Sequence, residues 1–429
     1  MVTEINNLQP YAEAASASLA QAGPDWLNLF RKRAWDGFAA NGFPTTRHEE
    51  WKYTNVRPIV EGTFSSAISG KCYASQVESL IGSEGIRLVF VNGLFDIGAS
   101  SVAELPNGLT ISSLKDVLAK NSNLVKPHLA NYASFEDDMF VALNTATFVD
   151  GAFIHVSASQ AIETPIFIVN ITEDGSAAQV RNLIVLEQNA QATVVEAFLS
   201  DGDKSSFTNA VTEIVLADGA HLNHTKTQVE GLSANHIAYQ VIEQAKSSVF
   251  DSQNICFGAS LARTTIYARL GAERIECTVD GLYCVNGRQH VDNHTAIDHA
   301  FPNCNSFELY KGVMDGKSTG VFNGKIFVRQ DAQKTDSKQT NQNILLSEEA
   351  TINTKPQLEI FADDVRCTHG ATVGHLDSAA LFYLRARGIG EAEARSMLIH
   401  AFANEVLERI KPEHLRVAME QILNDKLAG

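Results

Sequence analysis

The spacing of apolar residues changes character twice along the 429-residue chain. Up to about residue 150 it is mixed. Trp26, Leu27, Leu29, Phe30, Ala34 and Phe38 recur at helical spacing, with Asp25 as the expected N-cap and Gly42 and Pro44 as the stop. A short strand is expected at Arg87–Asn92, and a helical stretch after Ser112 and Ser113. Residues 1–150 thus read as a small helical or α+β cap. From 151 to 376 the helical period vanishes. Short apolar runs replace it, among them Ile166–Val169, Leu183–Leu186, Glu213–Leu216, Gly320–Phe322 and Lys325–Val328, separated by Asn, Gln, Ser, Thr and Gly. More than 200 residues of short strands without helices predict a sandwich, a barrel or a solenoid.

A small-residue turn recurs at Asn189-Ala190, Asp218-Gly219-Ala220, Gly271-Ala272 and Glu349-Ala350. The alanines are 30, 52 and 78 residues apart, near one, two and three units of about 26, as in the degenerate coils of a β-helix. Residues 377–429 return to helical spacing. Asp377 or Ser378 caps a first helix carrying Leu381, Phe382 and Leu384, which stops at Gly388-Ile389-Gly390. A second, from Glu391, is expected to place Ala394, Met397, Leu398, Ala401, Phe402 and Val406 on one side. Pro412 is expected in the first turn of a third.

Composition narrows the function classes. Hydrophobic residues make up 45% and charged residues 20%, the balance of a folded globular protein. A formal charge of −16 argues against nucleic-acid binding, which needs a clustered basic surface. Met1–Tyr11 has neither the basic nor the apolar region of a secretory signal, and no apolar run is long enough to cross a bilayer. The expected location is cytoplasmic, where the six scattered cysteines (72, 256, 277, 284, 304 and 367) are free thiols.

Three segments carry candidate chemistry. Gly312–Ser318 has the look of a phosphate-binding loop. It has three residues between its glycines where four are needed, and strand-like residues follow where a helix must open, so it reads as a turn. Between Cys277 and Cys304 lie Cys284, His290, His294 and His299, at spacings unlike the tight pairs of zinc fingers. On a strand His290 and His294 share a face and His299 does not. In Val365-Arg366-Cys367-Thr368-His369-Gly370, an extended backbone sets the Cys367 thiol beside the His369 imidazole. Thiolate and imidazole suit zinc or iron–sulfur chemistry but are half a ligand set. A nucleophile–base pair is the other reading, without an oxyanion hole or orienting carboxylate nearby.

Several stretches together resemble the SufD branch of the SufB/SufD family of the Suf iron–sulfur assembly system: Arg47–Thr54 (RHEEWKYT), Gln289–Thr295 (QHVDNHT), Tyr310–Val313, Val321–Lys325 (VFNGK), Thr354–Ile360, Asp363–Thr372 (DDVRCTHGAT) and Leu381–Ile389. The resemblance spans about residues 45–410. It implies a right-handed parallel β-helix between an N-terminal α+β region and C-terminal helices. The function it implies is that of a non-catalytic scaffold, pairing through its β-helix with the homologous subunit SufB, or with itself when alone. The ATPase SufC would bind its C-terminal helices, with Met397, Leu398, Ala401 and Phe402 as the candidate docking residues. Carried over residue by residue, Cys367 and His369 fall at the SufB interface. No cofactor is held permanently on this reading; iron or a nascent cluster passes through the shared site. The competing classes are a β-helical polysaccharide lyase or hydrolase, disfavoured by the lack of a signal and of a carboxylate cluster, and a free-standing metal-binding protein.

Overall fold

Residues 8–20, 23–65, 71, 73–102, 104–202 and 204–428 are described by the computed structural model of the chain; residues 1–7 of the N-terminal segment, and Cys72, lie outside them. The alternating runs become two facing sheets. One contains, in spatial order, Arg366–Gly374, Asp336–Leu345, Asn305–Met314, Glu276–Val285, Val249–Cys256, His221–Gln228, Gln191–Ser200, Ile166–Thr172, Ile86–Val91 and Leu94–Phe95. The other contains Thr351–Ile360, Thr319–Val328, His290–His299, Leu261–Leu270, Asn235–Gln244, Phe207–Leu216, Ala177–Leu186, Ala152–Val156 and Leu109–Ser113. From Ala152 onward each strand pairs in parallel with the strand two further along the chain, so the backbone spirals between the sheets as a parallel β-helix. The strands Leu94–Phe95 and Leu109–Ser113 pair antiparallel.

Strands of the second sheet begin at Ala177, Phe207, Asn235, Leu261, His290, Thr319 and Thr351. The coils are therefore 30, 28, 26, 29, 29 and 32 residues long, and the repeat is nearer 29 than the 26 expected from the alanines. Ala350 misled that count, because it lies at the opposite edge of the coil from Ala190 and Ala220. The true periodic mark is conformational. Ser159, Asn189, Gly219, Ser247, Arg274, Asn303 and Lys334 all have φ between 55° and 70°, once per coil at one corner. Except at Arg274, their N–H groups donate to turn carbonyls one coil on, as Asn189 does to Asp218 (2.9 Å) and Ser247 to Glu273 (3.0 Å). Because five different residue types fill this corner, no simple motif betrays it.

Matched register stacks like side chains in columns. Ile184, Ile214, Ile242, Ala268, Ile297, Ile326 and Leu358 form one apolar wall of the lumen. Two residues back along the same strands a polar column, Asn182, Thr212 and Gln240, runs beside that wall and is internally bonded, as buried polar groups must be. There Glu196 accepts from Asn182 (2.8 Å), Thr212 (2.7 Å) and Gln240 (2.9 Å) and contacts His224 (3.0 Å). Two glycines make room for rings in this lumen. A Cβ on Gly281 would stand 2.2 Å from the Tyr310 ring, and one on Gly312 would stand 2.3 Å from the Tyr283 ring.

Helices cover both outer faces. On the second sheet Tyr11, Phe38, Phe43, Trp51 and Phe140 pack against Phe207, Val211, Ile237 and Val241. On the first, Ile399, Ala403, Val406, Leu407, Leu415 and Met419 pack against Val195, Ala197, Ile255 and Leu282. The N-terminal region is not a separate cap, since its strand Ile86–Val91 extends the first sheet in parallel with Ile166–Thr172. Asp25 proves to be the first helical residue, with Pro24 in the cap position and no side-chain cap. Pro412 precedes the helix Glu413–Ala428, and its carbonyl accepts from Arg416 N (3.0 Å). Among the described residues no helix is long and apolar enough to cross a membrane.

Candidate functional site

The β-helix is covered at one end and bare at the other. Its last coil comprises Thr351–Ile360 and Arg366–Gly374, each the outermost strand of its sheet, with no strand beyond. Side chains equivalent to buried ones in earlier coils are therefore only half covered here, including Ile352, Leu358, Val365 and Cys367. Ile360, Phe361 and Val373 stand exposed.

Cys367 and His369 lie in this coil, and register shows what they continue. Cys367 tops the column Phe250, Cys277, Ser306, Ser337, all buried in the lumen. His369 tops the parallel column His224, Ser252, Val279, Glu308, Gln339, equally buried. Two residues apart on one strand, both belong to the inward set. Burial, with some help from Asp336, raises the Cys367 thiol above its ordinary value. The His369 side chain is exposed and has no hydrogen-bonding partner among the described residues. The mouth of the β-helix thus carries one thiol and one imidazole, donors suited to iron, with open space where further ligands would have to come.

The C-terminal helices run Ser378–Ala386, Glu391–Leu407 and Glu413–Ala428. Asp377 caps the first, accepting from Ala379 N (2.8 Å) and Ala380 N (3.3 Å). The stripe expected on one side of the second helix is divided. Ala394 and Val406 are buried with Ile399, Ala403 and Leu407, whereas Met397 and Ala401 face outward and Leu398 is half-covered. Phe402 lies at the boundary, packed on the sheet-covering cluster with the Lys311 ammonium 4.5 Å from its ring centroid. Apolar residues occupy more than one side of this helix, so period alone could not choose the buried one. The first helix has no buried residue, and its Phe382 and Tyr383 are exposed beside this region. Sequence reasoning did not single out that pair as surface, because an apolar ring is expected inside.

A second cluster emerges where the sequence offered only histidines. The 47–54 segment lies as a strap across the outer face of the second sheet. Thr54 Oγ1 donates to Asp292 Oδ2 (2.5 Å) and contacts His290 Nε2 (2.9 Å). His294 stands between Asp292 (3.0 Å) and Glu50 (3.3 Å). Arg263 donates to Asp292 (2.5 Å) and the Glu50 carbonyl (2.8 Å), with its guanidinium 3.9 Å from the Trp51 ring centroid. Lys355 reaches Glu49 at 3.0 Å. Burial alone would raise the Asp292 carboxyl, but Arg263 and His294 outweigh it and hold it well below the carboxylate range. Burial likewise opposes the charge on His294, and Asp292 reverses that effect and raises it. His290 and His294 are thus structural partners of the strap, while His299 points inward to Ser306 (2.8 Å). Spacing could not find this site, since its halves are more than 200 residues apart.

Cys277 and Cys304 face the lumen, and Cys284 faces the C-terminal helices, so these thiols do not converge with His290 and His294 on the outer face. All five described cysteines are free. Among the described residues no group of three or more His, Cys, Asp or Glu is placed to hold a metal ion. Asp315–Ser318 forms the turn between Asn305–Met314 and Thr319–Val328, with Gly316 at φ 63°.

Comparison with known proteins agrees with this architecture along the whole chain. Residues 167–402 match the model of the SUF system FeS cluster assembly, SufBD core domain, and residues 2–168 match that of the SufBD protein N-terminal region. An iron–sulfur cluster assembly SufBD family protein of Synechocystis is 33% identical over 98% of this chain and 96% of its own. The iron–sulfur cluster assembly protein SufD of Escherichia coli is 33% identical over 90% of each chain. The chloroplastic protein ABCI7 of Arabidopsis thaliana is 26% identical over 94% of this chain and 86% of its own. The chain belongs to the SufB/SufD family of iron–sulfur cluster assembly proteins.

Proposed function

We propose that this chain is the non-catalytic SufD-type subunit of a SufBCD complex, and that the mouth of its β-helix is where it meets SufB. The observation that carries the reading is the bare last coil. Two strands with unpaired outer edges end the sheets there, and Cys367 and His369 head inward columns at that end. A homologous β-helix can stack its own strands on these edges, satisfying their backbone groups and covering Phe361 and Val373. SufB would then supply the remaining ligands of a shared site. Iron and the nascent cluster are cargo there, and an incomplete site can release what a closed one would retain.

In this scheme the chain's residues bind and orient rather than react. His369 offers a ring nitrogen as a ligand. The Cys367 thiol is mostly protonated at neutral pH and becomes a ligand only on giving up its proton. SufC would dock on the outward side of the C-terminal helices, at Met397, Leu398 and Ala401 with Phe402 at the edge.

The test is cluster content of the co-expressed complex with His369→Ala and with Cys367→Ala, alongside assembly and thermal melts. Both side chains sit in the half-covered last coil, so either variant should assemble and melt near wild type. His369→Ala should lose most of the cluster and Cys367→Ala less. Normal cluster content in His369→Ala would remove the ligand role.

A further inference from the structure

We infer that Gln339 fixes the His369 imidazole when a metal ion is taken at the mouth, by accepting a hydrogen bond from the ring nitrogen that the metal leaves free. The inference rests on the proposed ligand role of His369 and adds a positioning residue beneath it. Gln339 precedes His369 in the same inward column, directly opposite it in register, one strand spacing of about 4.8 Å away. It is fully buried.

Its amide is held from below. Gln339 Nε2 donates to Glu308 Oε2 at 2.6 Å, and Glu308 is the next residue down the same column. Anchoring the NH₂ end on a carboxylate leaves the carbonyl end committed elsewhere. Gln339 Oε1 has no partner among the described residues. A buried acceptor without a donor is an uncommon and costly arrangement in a native protein, and points to a partner that arrives later.

The neighbouring rung supplies a group with the matching need. A neutral imidazole has one N–H donor and one lone pair, and the His369 ring has no hydrogen bond among the described residues. Turning its N–H onto Gln339 Oε1 would satisfy the buried acceptor. It would also fix the tautomer and leave the lone pair on the nitrogen that faces the mouth. Histidines that bind metals almost always donate their other N–H in this way, and losing that acceptor typically weakens metal binding 10–100-fold. The column Glu308–Gln339–His369 then acts as a carboxylate–amide–imidazole relay of orientation, with no proton transferred along it.

The experiment uses the complex of the full chain with its SufB-type partner and zinc(II) as a diamagnetic probe. Nitrogen-15 histidine spectra of the unmodified complex should show, with zinc bound, a His369 N–H protected from exchange with water. Gln339→Leu should abolish that protection and weaken zinc binding 10–100-fold, and Gln339→Glu, which keeps an acceptor oxygen in place, should restore both. A fast-exchanging His369 N–H in the unmodified, zinc-loaded complex overturns the inference without recourse to any variant. So does unchanged zinc affinity in a folded Gln339→Leu. His369→Ala separates the two levels: if it leaves zinc binding intact, the ligand reading fails and takes the inference with it. If His369→Ala weakens binding while Gln339→Leu does not, the ligand role stands and Gln339 has no part in it.

Discussion

Replacing Phe382 by alanine should separate docking from folding more cleanly than removing the C-terminal helices. Truncation after Asp377 would strip Ile399, Ala403, Val406, Leu407 and Met419 from the outer face of the first sheet. The β-helix would then expose Val195, Ile255 and Leu282, and any loss of ATPase binding would be confounded with damage to the fold. Phe382 is 74% exposed and belongs to a helix without a buried residue. Its removal should therefore change stability by no more than about 0.5 kcal/mol. Suppose a partner covers that exposed three-quarters. A phenylalanine presents about 200 Å², so on the order of 150 Å² would be buried, about 3–4 kcal/mol at roughly 25 cal/mol per Å². Side-chain ordering and imperfect fit reduce this, and about 2–3 kcal/mol is the expected loss, typical of an interface hot spot. That corresponds to a Kd for SufC weaker by a factor of roughly 30–150. Met397→Ala, at a 46% exposed residue, should cost less, about 1–2 kcal/mol on the same arithmetic. The assay is calorimetric or optical titration of the full chain with SufC, with a thermal melt of each variant. Affinities within threefold of wild type for both variants, with unchanged melts, would refute the placement of the docking surface.

Three further outcomes follow from the interior. Ile399→Ala, at a buried residue on the sheet-facing side of the same helix, should lower stability by about 2–4 kcal/mol in denaturant titration; a midpoint like that of Phe382→Ala would show that the two sides of the helix are assigned wrongly. Burial pushes the Glu308 carboxyl up to about 7, so the folded chain holds this proton more tightly than the unfolded chain, whose glutamates titrate near 4.3. Stability should be highest below about pH 4 from this group, fall as pH rises through the window to about 7, and level off above it. Glu308→Gln should flatten that slope and gain a few kcal/mol at pH 8, and a parallel slope in both proteins would contradict the assignment. Gly281→Ala sets a Cβ 2.2 Å from the Tyr310 ring and should cost about 1–3 kcal/mol, which an unaltered melting temperature would disprove.

The β-rich body was legible because many strands are buried on both faces, toward the lumen and under the covering helices, which writes short apolar runs into the sequence. The length of the repeat was less so. Its left-handed corner is filled by Ser, Asn, Gly, Arg and Lys in turn, because the backbone conformation and one hydrogen bond are what recur. Cys367 and His369 could be placed side by side from the two-residue period of a strand. That they cap buried columns at an open end could not, since columns are made by register between residues about 30 apart. The strap was the least visible. Glu50, Trp51 and Thr54 meet Arg263, His290, Asp292 and His294 only after the chain has wound through several coils. The histidines there offered a metal reading by type, whereas nothing in the pattern of the chain marked Arg263 as their neighbour. A guanidinium bonded to Asp292 takes the carboxylate that a cation would need.

The two strands at the mouth differ in a way that bears on what covers them. Exposed strand edges invite pairing with other chains, and proteins blunt them with lysine, proline and other charges. Thr351–Ile360 carries Lys355, Pro356 and Glu359, and Pro356 withholds one backbone donor from any neighbour. Arg366–Gly374 carries a single charge, Arg366, at its start, and the remainder is Cys, Thr, His, Gly, Ala and Val, with no proline to withhold an N–H from its outer edge. A strand so unprotected would be a standing hazard on a chain that works alone. The protection is thus placed on one edge and withheld from the other, and the edge left open is the one holding Cys367 and His369. That asymmetry suits the proposed interface: a partner β-helix would bond first to the open edge, its register would be set there, and any ligands it carries would come opposite the pair in the same act of docking.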